Sequence, residues 1–202
     1  ERCLKEANVA FLYAPKFHNA MRHVAPVRQE LAMRTVFNLL GPLSNPAAPE
    51  FQLLGVYSAA LVEPLAHVLK ELGTKAAWVV HGADGLDELT LSGPSKVAEL
   101  KDGNVRVFEL SPQEAGLPPA SLEELRGKDA EYNAEALCNA LSGMESAHRN
   151  AVVYNAAAAL LVAGKAADIQ AGVAMAKDAI DSGRAHSTLQ KLVSVSNETL
   201  RS

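Results

Sequence analysis

Hydrophobic and polar residues follow two different patterns in the first half of the chain. Residues 51–58 form an apolar run that predicts a strand. Residues 61–72 carry leucine and valine at helical spacing and end at Gly73, a glycine typical of a helix terminus. Residues 76–81 form a second apolar run. A strand, a helix and a strand with short connections predict a parallel βαβ unit.

The apolar runs become shorter in the middle of the chain. Residues 89–91, 95–101 and 105–110 are brief runs that predict short strands. The dipeptide Asp102-Gly103 stands between the last two runs, and Asp-Gly in that position predicts a tight hairpin turn.

The last third of the chain reads as helical. Alanine dominates from about residue 132 to 192 and predicts helix in three pieces, interrupted near Gly143, Gly164 and Gly183. Together with the strands, this predicts an α/β fold: a large domain with a mostly parallel central sheet flanked by helices.

Composition narrows the class of protein. The 202 residues carry a formal net charge of −4 and a pI near 5.9, whereas a general nucleic-acid or membrane-surface binder would show a basic excess. No apolar stretch has the length of a membrane span. Two cysteines far apart in sequence, Cys3 and Cys138, fit a reducing compartment. We therefore expect a cytoplasmic protein.

The first candidate for chemistry is the stretch from Arg28 to Pro46. Two prolines break regular structure within residues 41–46, which predicts a rigid turn whose backbone groups can face a ligand. The guanidinium group of Arg28, just upstream, suits a bidentate grip on a carboxylate or phosphate. The alternative is a surface ion pair, which contributes about 0 to 1 kcal/mol.

The second candidate directly follows the strand at residues 76–81. In open α/β sheets, ligands bind beyond the carboxyl ends of strands, and here the carboxylates Asp84, Asp87 and Glu88 arrive together. Adjacent Asp87 and Glu88 suit Mg²⁺, which takes one or two carboxylates together with waters and substrate phosphate oxygens. The alternative is a solvated acidic turn in which Asp84 and Gly85 serve only as turn residues.

Several motifs occur in a fixed order along the chain. They are Phe-Leu-Tyr-Ala-Pro at 11–15, His-Asn-Ala-Met at 18–21, Arg-Thr-Val-Phe-Asn-Leu-Leu-Gly-Pro-Leu-Ser-Asn-Pro at 34–46, and His-Gly and Gly-Leu-Asp-Glu at 81–82 and 85–88. In order and spacing they resemble the anthranilate phosphoribosyltransferase family of tryptophan biosynthesis. The resemblance extends over essentially the whole chain.

The resemblance implies a reaction and its residues. The phosphoribosyl group would pass from phosphoribosyl pyrophosphate to the amine of anthranilate, with release of pyrophosphate. Asp87 and Glu88 would hold Mg²⁺, Arg28 would bind the anthranilate carboxylate, and His18 and Pro42 would line the path of the aromatic substrate. No general base is evident. We expect small-molecule substrates and neither nucleic acid nor membrane as partners.

The resemblance also implies an architecture like that of the nucleoside phosphorylases and phosphoribosyltransferases. Residues 1–32 would be the remnant of a small helical domain and its hinge, and residues 33–202 the large α/β domain. The family's glycine-rich diphosphate loop belongs to an N-terminal part that this sequence does not contain. We therefore expect the C-terminal part of a protein that is a homodimer at full length, and no turnover from this chain alone.

Two other functions stay open on sequence grounds. A pyrimidine nucleoside phosphorylase shares the general fold and would cleave thymidine or uridine with phosphate. A non-enzymatic relative of the same fold that binds nucleic acid would need basic clusters, which the acidic balance of this chain disfavours.

Overall fold

The computed structural model describes residues 1–12, 41, 43–45 and 47–198. The chain divides into two compact units, Glu1–Pro49 with Thr188–Ser202, and Glu50–Ser187. The boundary predicted between residues 32 and 33 lies outside the described residues and stays a prediction.

The first unit opens with a short helix, α1 (Arg2–Ala7), which ends at Asn8 in the left-handed conformation, with φ of 57°. Asparagine tolerates that conformation better than most side chains. Within the same unit, the Arg2 guanidinium pairs with Glu198 at 2.9 Å.

The second unit is built on a mixed sheet. Its strands are β1 (Phe51–Gly55), β2 (Ala76–Gly82), β3 (Ser95–Lys101) and β4 (Asn104–Leu110), in that spatial order. β1 and β2 are parallel, while β2–β3 and β3–β4 are antiparallel. The predicted α/β class and parallel βαβ unit are confirmed. The described strands form a mixed sheet rather than a mostly parallel one, because β3 returns beside β2 without a crossover helix.

The remaining helices of the described residues flank or follow this sheet. They are α2 (Val62–Glu71), α3 (Ala130–Leu141), α4 (Ala147–Val162), α5 (Ile169–Asp181) and α6 (Arg184–Glu198). A 3-10 turn at Leu122–Leu125 precedes α3. The alanine-rich segment thus contains four helices and not the predicted three, since each of the three predicted interruptions separates two helices. None of the helices in the described part of the chain is long and apolar enough to cross a membrane.

The core lies on both faces of the sheet, as alternation along β2 requires. Trp78 and Val80 belong to a buried cluster with residues of α4 and α5. Ala77 and Val79 are equally buried, and α2 packs on β2 and β3. Both faces of β2 are therefore covered, which explains why its sequence is a continuous apolar run rather than an alternating one.

Helix α4 is fixed in place by polar as well as apolar contacts. Ser146 caps its first turn by accepting a hydrogen bond from the Arg149 backbone N–H. The Arg149 side chain is only 3% exposed and pairs with Asp181 on α5 at 2.6 Å and with Glu145 at 2.9 Å. Tyr154 and Ala157 are fully buried further along the helix. Helix α4 is thus held rigidly in the second unit.

Candidate functional site

The candidate site is the β2–β3 loop, residues 83–94, at the carboxyl end of β2. The loop begins with two backbone turns: the Gly85 N–H donates to the Gly82 carbonyl, and the Gly82 N–H to the Leu86 carbonyl, both at 2.9 Å. The Ala83 N–H donates to the Pro94 carbonyl at 3.0 Å and closes the base of the loop. The loop is therefore a folded element of defined shape.

Asp84 organises the loop from within. One carboxylate oxygen accepts from the Leu86 N–H at 3.1 Å, and the other from the hydroxyls of Thr90 and Ser92 at 2.5 and 2.6 Å. Burial alone would raise the pKa of Asp84, but the hydrogen bonds from Ser92, Thr90 and Leu86 outweigh it and the pKa is lowered. Asp84 therefore acts as a turn residue, which was the alternative given for it, and its oxygens are occupied by the loop itself.

The strand predicted at residues 89–91 is wrong. Leu89 and Leu91 are buried in the core cluster, yet the segment has no regular structure. Its backbone groups have no strand partner: the Thr90 N–H donates to the Ser95 hydroxyl at 2.9 Å, and the Leu91 carbonyl accepts from the Ala120 N–H at 3.0 Å. An apolar run alone cannot distinguish a strand from a buried loop whose backbone is satisfied in this way.

Gly55, at the end of β1, is a site residue that sequence reasoning missed. A Cβ on Gly55 would lie 1.6 Å from the carbonyl oxygen of Asp87 and 2.6 Å from its carbonyl carbon. The loop backbone therefore rests directly on the end of β1, and only glycine leaves room for it. The available signal was a glycine within an otherwise apolar strand.

Asp87 and Glu88 project from this contact. Both residues are exposed, and neither forms a hydrogen bond or ion pair within the described ranges. The carboxyl group of Glu88 is partly buried, and that burial, followed by the negative charge of Asp87, raises the pKa of Glu88. Two adjacent carboxylates concentrate negative charge, which attracts a cation.

Asn155 of α4 holds the loop immediately after Glu88. Its carboxamide oxygen accepts from the Leu89 N–H at 3.0 Å, and its Nδ2 donates to the Leu89 carbonyl at 3.1 Å. Nδ2 also donates to the Ala151 carbonyl at 3.1 Å. Sequence reasoning missed this residue, because nothing in the local pattern of a helix indicates a partner so distant in the chain.

The His81 side chain has a structural role. Its Nδ1 lies 2.7 Å from the Val56 carbonyl, and because a carbonyl only accepts, Nδ1 carries the proton. Val56 in turn donates its N–H to the Val80 carbonyl at 2.9 Å. These bonds tie the carboxyl end of β1 to that of β2.

Asp87 and Glu88 also line a cavity of about 400 Å³. Most of its other lining is apolar and comes from α3 and α4, including Leu137, Ala140 and Val152, with His148 among the polar exceptions. The carboxylate pair thus lies between solvent and a mostly apolar cavity.

The model of one family matches residues 1–186 of the 202, and its description is "Glycosyl transferase family, a/b domain". The chain belongs to this family.

Individual relatives within it are close. The chain is 58% identical over 194 residues to anthranilate phosphoribosyltransferase of Rhodopseudomonas palustris strain BisB5, covering 96% of this chain and 57% of that protein. Among solved structures, anthranilate phosphoribosyltransferase from Thermus thermophilus has 42% identity and a TM-score of 0.87, covering 96% of this chain and 57% of that one. The yeast enzyme from Saccharomyces cerevisiae in complex with PRPP and Mg has 29% identity and a TM-score of 0.85, covering 93% and 54%.

These likenesses confirm the predicted fold of the nucleoside phosphorylase and phosphoribosyltransferase type. The chain spans about 57% of the length of the curated relative from Rhodopseudomonas palustris.

The other predicted site residues of the chain lie outside the described residues. They are Arg28, His18 and Pro42. Their roles stay predictions.

The described residues can be tested for their fit to Mg²⁺. They contain no group of three or more His, Cys, Asp or Glu that could hold a metal ion. The donor set is instead a pair of carboxylates whose oxygens have no partner in the described ranges, unlike those of Asp84. Mg²⁺ is often held by one or two carboxylates and completes its shell with water and phosphate oxygens, so Asp87 and Glu88 fit it.

Proposed function

We propose that the protein carrying this chain transfers the phosphoribosyl group of phosphoribosyl pyrophosphate to the amine of anthranilate, releasing pyrophosphate, as a step in tryptophan biosynthesis. The observation that carries the proposal is the Asp87–Glu88 pair beside Gly55, whose carboxylates have no partner among the described residues, in a chain 58% identical to an anthranilate phosphoribosyltransferase. A relative's complex with PRPP and Mg supports the same substrate and ion.

Asp87 and Glu88 would hold Mg²⁺ where the pyrophosphate leaves. Bound there, the ion supplies positive charge against the charge that develops on the leaving group. The contact of the Asp87 carbonyl with Gly55 and the bonds of Asn155 to Leu89 fix the peptide groups on both sides of Glu88. The carboxylates would therefore meet the ion without first ordering a loop.

The remaining residues would act by binding and orientation. Glycosyl transfer passes through an oxocarbenium-like state, and the aromatic amine is neutral at pH 7, so the chain needs no general base to activate it. Arg28 would pair its guanidinium group with the anthranilate carboxylate, a charge-assisted contact worth about 1.5 to 3 kcal/mol. His18 and Pro42 would line the approach of the aromatic ring.

The proposal is tested by the loss of anthranilate fluorescence in two preparations. One is the 202-residue chain by itself. The other is this chain joined to the segment of the Rhodopseudomonas relative that lies outside the alignment. We expect the joined protein to consume anthranilate in the presence of phosphoribosyl pyrophosphate and Mg²⁺, and the chain alone to show no turnover. Phosphorolysis of thymidine or uridine by the joined protein, or a salt-sensitive gel shift with nucleic acid, would contradict the proposal.

Variants of the joined protein separate the two halves of the site. Arg28→Ala should raise the KM for anthranilate far more than that for phosphoribosyl pyrophosphate, with Arg34→Ala as the matched control. Asp87→Asn should instead raise the Mg²⁺ concentration needed for half-maximal rate. An unchanged KM for anthranilate in Arg28→Ala, or an unaltered Mg²⁺ titration in Asp87→Asn, removes that residue from the proposed site.

The same proposal extends to assembly and location. Residues 1–32 would belong to a small helical domain and residues 33–202 to the large domain of a homodimeric protein. A net charge of −4 gives no support to nucleic acid as a partner, and the free cysteines Cys3 and Cys138 accord with the reducing cytoplasm.

A further inference from the structure

Asn155 makes an unusual contact for a helical side chain. From the middle of α4 it bonds both backbone groups of a single loop residue, accepting from the Leu89 N–H at 3.0 Å and donating to the Leu89 carbonyl at 3.1 Å. The bond from Nδ2 to the Ala151 carbonyl assigns the amide orientation independently, because only the NH₂ group can donate to two carbonyls. The side chain thus replaces a strand neighbour for Leu89.

The contact lies next to the carboxylate pair. Leu89 directly follows Glu88, and the Asp87 carbonyl, which lies between the two residues of the pair, rests against Gly55. The two contacts come from different elements, the end of β1 and the middle of α4, and they hold adjacent peptide groups. Between them the backbone of Glu88 has little freedom to turn.

Helix α4 is a firm base for such a contact. Arg149 ties its first turn to α5 through Asp181, and Tyr154, beside Asn155 in sequence, is fully buried. A side chain of this helix that binds the loop therefore holds the loop at a fixed position relative to α4.

We propose that Asn155 is a positioning residue for the metal pair, whose two bonds to Leu89 set the direction in which Asp87 and Glu88 present their carboxylates. The inference rests on the proposed role of that pair in holding a divalent cation. Partners of this kind that orient metal ligands typically change metal affinity about 10- to 100-fold when removed. Asn155 has no need to touch the ion or a substrate to have this effect.

The first test is the binding of Mn²⁺, a paramagnetic stand-in for Mg²⁺, to the chain as given, measured by water-proton relaxation. Asn155→Ala should weaken Mn²⁺ binding by about tenfold. The matched control is Asn150→Ala, which changes the same residue type on the same helix where no side-chain hydrogen bond to a described residue is lost. The control should bind Mn²⁺ within about twofold of the unchanged chain, which is well below the range expected for a metal-orienting partner.

A second measurement needs no variant. In the NMR spectrum of the unchanged chain, added Mg²⁺ should shift the side-chain amide of Asn155 together with the backbone amide of Leu89, because the two are hydrogen-bonded. Amide exchange gives the internal reference: Asn155→Ala should speed exchange at Leu89 and leave Thr90, which is held by Ser95, unaffected.

The outcomes separate this inference from the proposed function. If Asp87→Asn weakens Mn²⁺ binding and Asn155→Ala does not, the inference about Asn155 is wrong and the metal role of the pair stands. If Asp87→Asn binds Mn²⁺ as well as the unchanged chain does, the metal role fails and the inference falls with it. An Asn155→Ala variant that loses thermal stability but keeps its Mn²⁺ affinity also overturns the inference, as does an unshifted Asn155 amide.

Discussion

Two connections between antiparallel strands of the same sheet differ in length and in the contacts that hold them. The β2–β3 loop and the β3–β4 turn each join neighbouring antiparallel strands, between Gly82 and its partner Ser95, and between Lys101 and its partner Asn104. The β3–β4 turn uses two residues, while the β2–β3 loop uses residues 83–94. The extra length of the loop is unnecessary for the sheet.

The difference lies in what holds each connection. The turn is made by backbone conformation, with φ of 50° at Asp102 and 73° at Gly103, and both residues are exposed. The loop is made by side chains: Asp84 binds it from within, and Asn155 binds it from another element. A turn specified locally can carry little chemistry, whereas a loop held by distant groups can present a carboxylate pair to solvent.

The largest destabilisation of the loop is expected from a substitution at Gly55. Gly55→Ala would place a Cβ 1.6 Å from the Asp87 carbonyl oxygen, and backbone atoms cannot rotate away as a side chain can. We expect the free energy of unfolding, from urea titration, to fall by about 3 kcal/mol, the upper part of the range for overpacking. Mn²⁺ binding should weaken as Asp87 is displaced.

Gly93→Ala is the control for that prediction. A Cβ at Gly93 would meet nothing nearer than the Ala83 Cβ at 3.8 Å, an ordinary contact in the same loop. Its effect should stay within about 0.5 kcal/mol. Equal stability of the two variants would mean that the loop does not rest on β1.

The second prediction concerns Asp84. Asp84→Asn removes acceptor strength for the Leu86 N–H and the hydroxyls of Thr90 and Ser92, and should cost about 2 kcal/mol at pH 7, as expected for bonds to a charged group. Asp102→Asn is the control in the turn and should cost less than about 0.5 kcal/mol, as an exposed substitution in a conformation that asparagine tolerates.

The pH dependence of the Asp84 effect has a definite sign. The folded-state pKa of Asp84 lies below its ordinary value of 3.8, so its stabilising contribution is complete above 3.8 and is lost as the pH falls through the folded pKa. Urea titrations from about pH 6 down to about pH 3 pass through the ordinary value of 3.8 and should therefore show the difference between the unchanged chain and Asp84→Asn shrinking at the acid end. A difference that grows on acidification would contradict this account.

The same contrast explains what the sequence could and could not predict. Asp102-Gly103 is a local signal, so the turn was predicted where it occurs, and the strand predicted at 95–101 has the observed bounds. Residues 89–91 were predicted to be a strand, because their apolar run is local information, while their partner Asn155 is 66 positions from Leu89. The parallel β1–β2 pair followed from its helix crossover, but the antiparallel return of β3 depends on the loop.

The site was predictable to a similar extent. Position after a buried strand located the acidic segment, the adjacency of Asp87 and Glu88 made that pair the candidate for Mg²⁺, and the resemblance implied the same role. Gly55 could not be assigned in advance, since its role is a backbone contact with a loop that follows a different strand. The metal role of the pair and the roles of Arg28, His18 and Pro42 stay predictions.

The third prediction tests whether the β3–β4 hairpin also depends on side chains. Glu99 of β3 accepts from Trp78 Nε1 of β2 at 3.0 Å and from Arg106 of β4, whose guanidinium group also lies 5.0 Å from the Phe108 ring centroid. Burial would raise the pKa of Glu99, but the bonds from Arg106 and Trp78 outweigh it and the pKa is lowered.

Glu99→Gln keeps the Trp78 bond and removes the charge, so it should cost about 1.5 kcal/mol at low salt, discounted because Arg106 is largely exposed. In 1 M NaCl the cost should shrink, because the Debye length there is about 3 Å. The cost of Asp84→Asn, whose donors are neutral, should hardly change. An equal salt dependence of the two variants would remove the distinction between an ion pair and a hydrogen-bonded turn.

The smallest effect is expected in the turn. Gly103→Ala places a Cβ on a residue with φ of 73°, and with no atom within 4 Å the cost is conformational, about 1 kcal/mol in the free energy of unfolding. Because the turn is specified by its own backbone, the substitution should leave Mn²⁺ binding at Asp87 and Glu88 unchanged, unlike Gly55→Ala. Urea titration and Mn²⁺ relaxation on the same preparation measure both quantities. A Gly103→Ala variant that loses Mn²⁺ binding would show that the turn and the loop are coupled, and that their division into a local and a long-range connection is wrong.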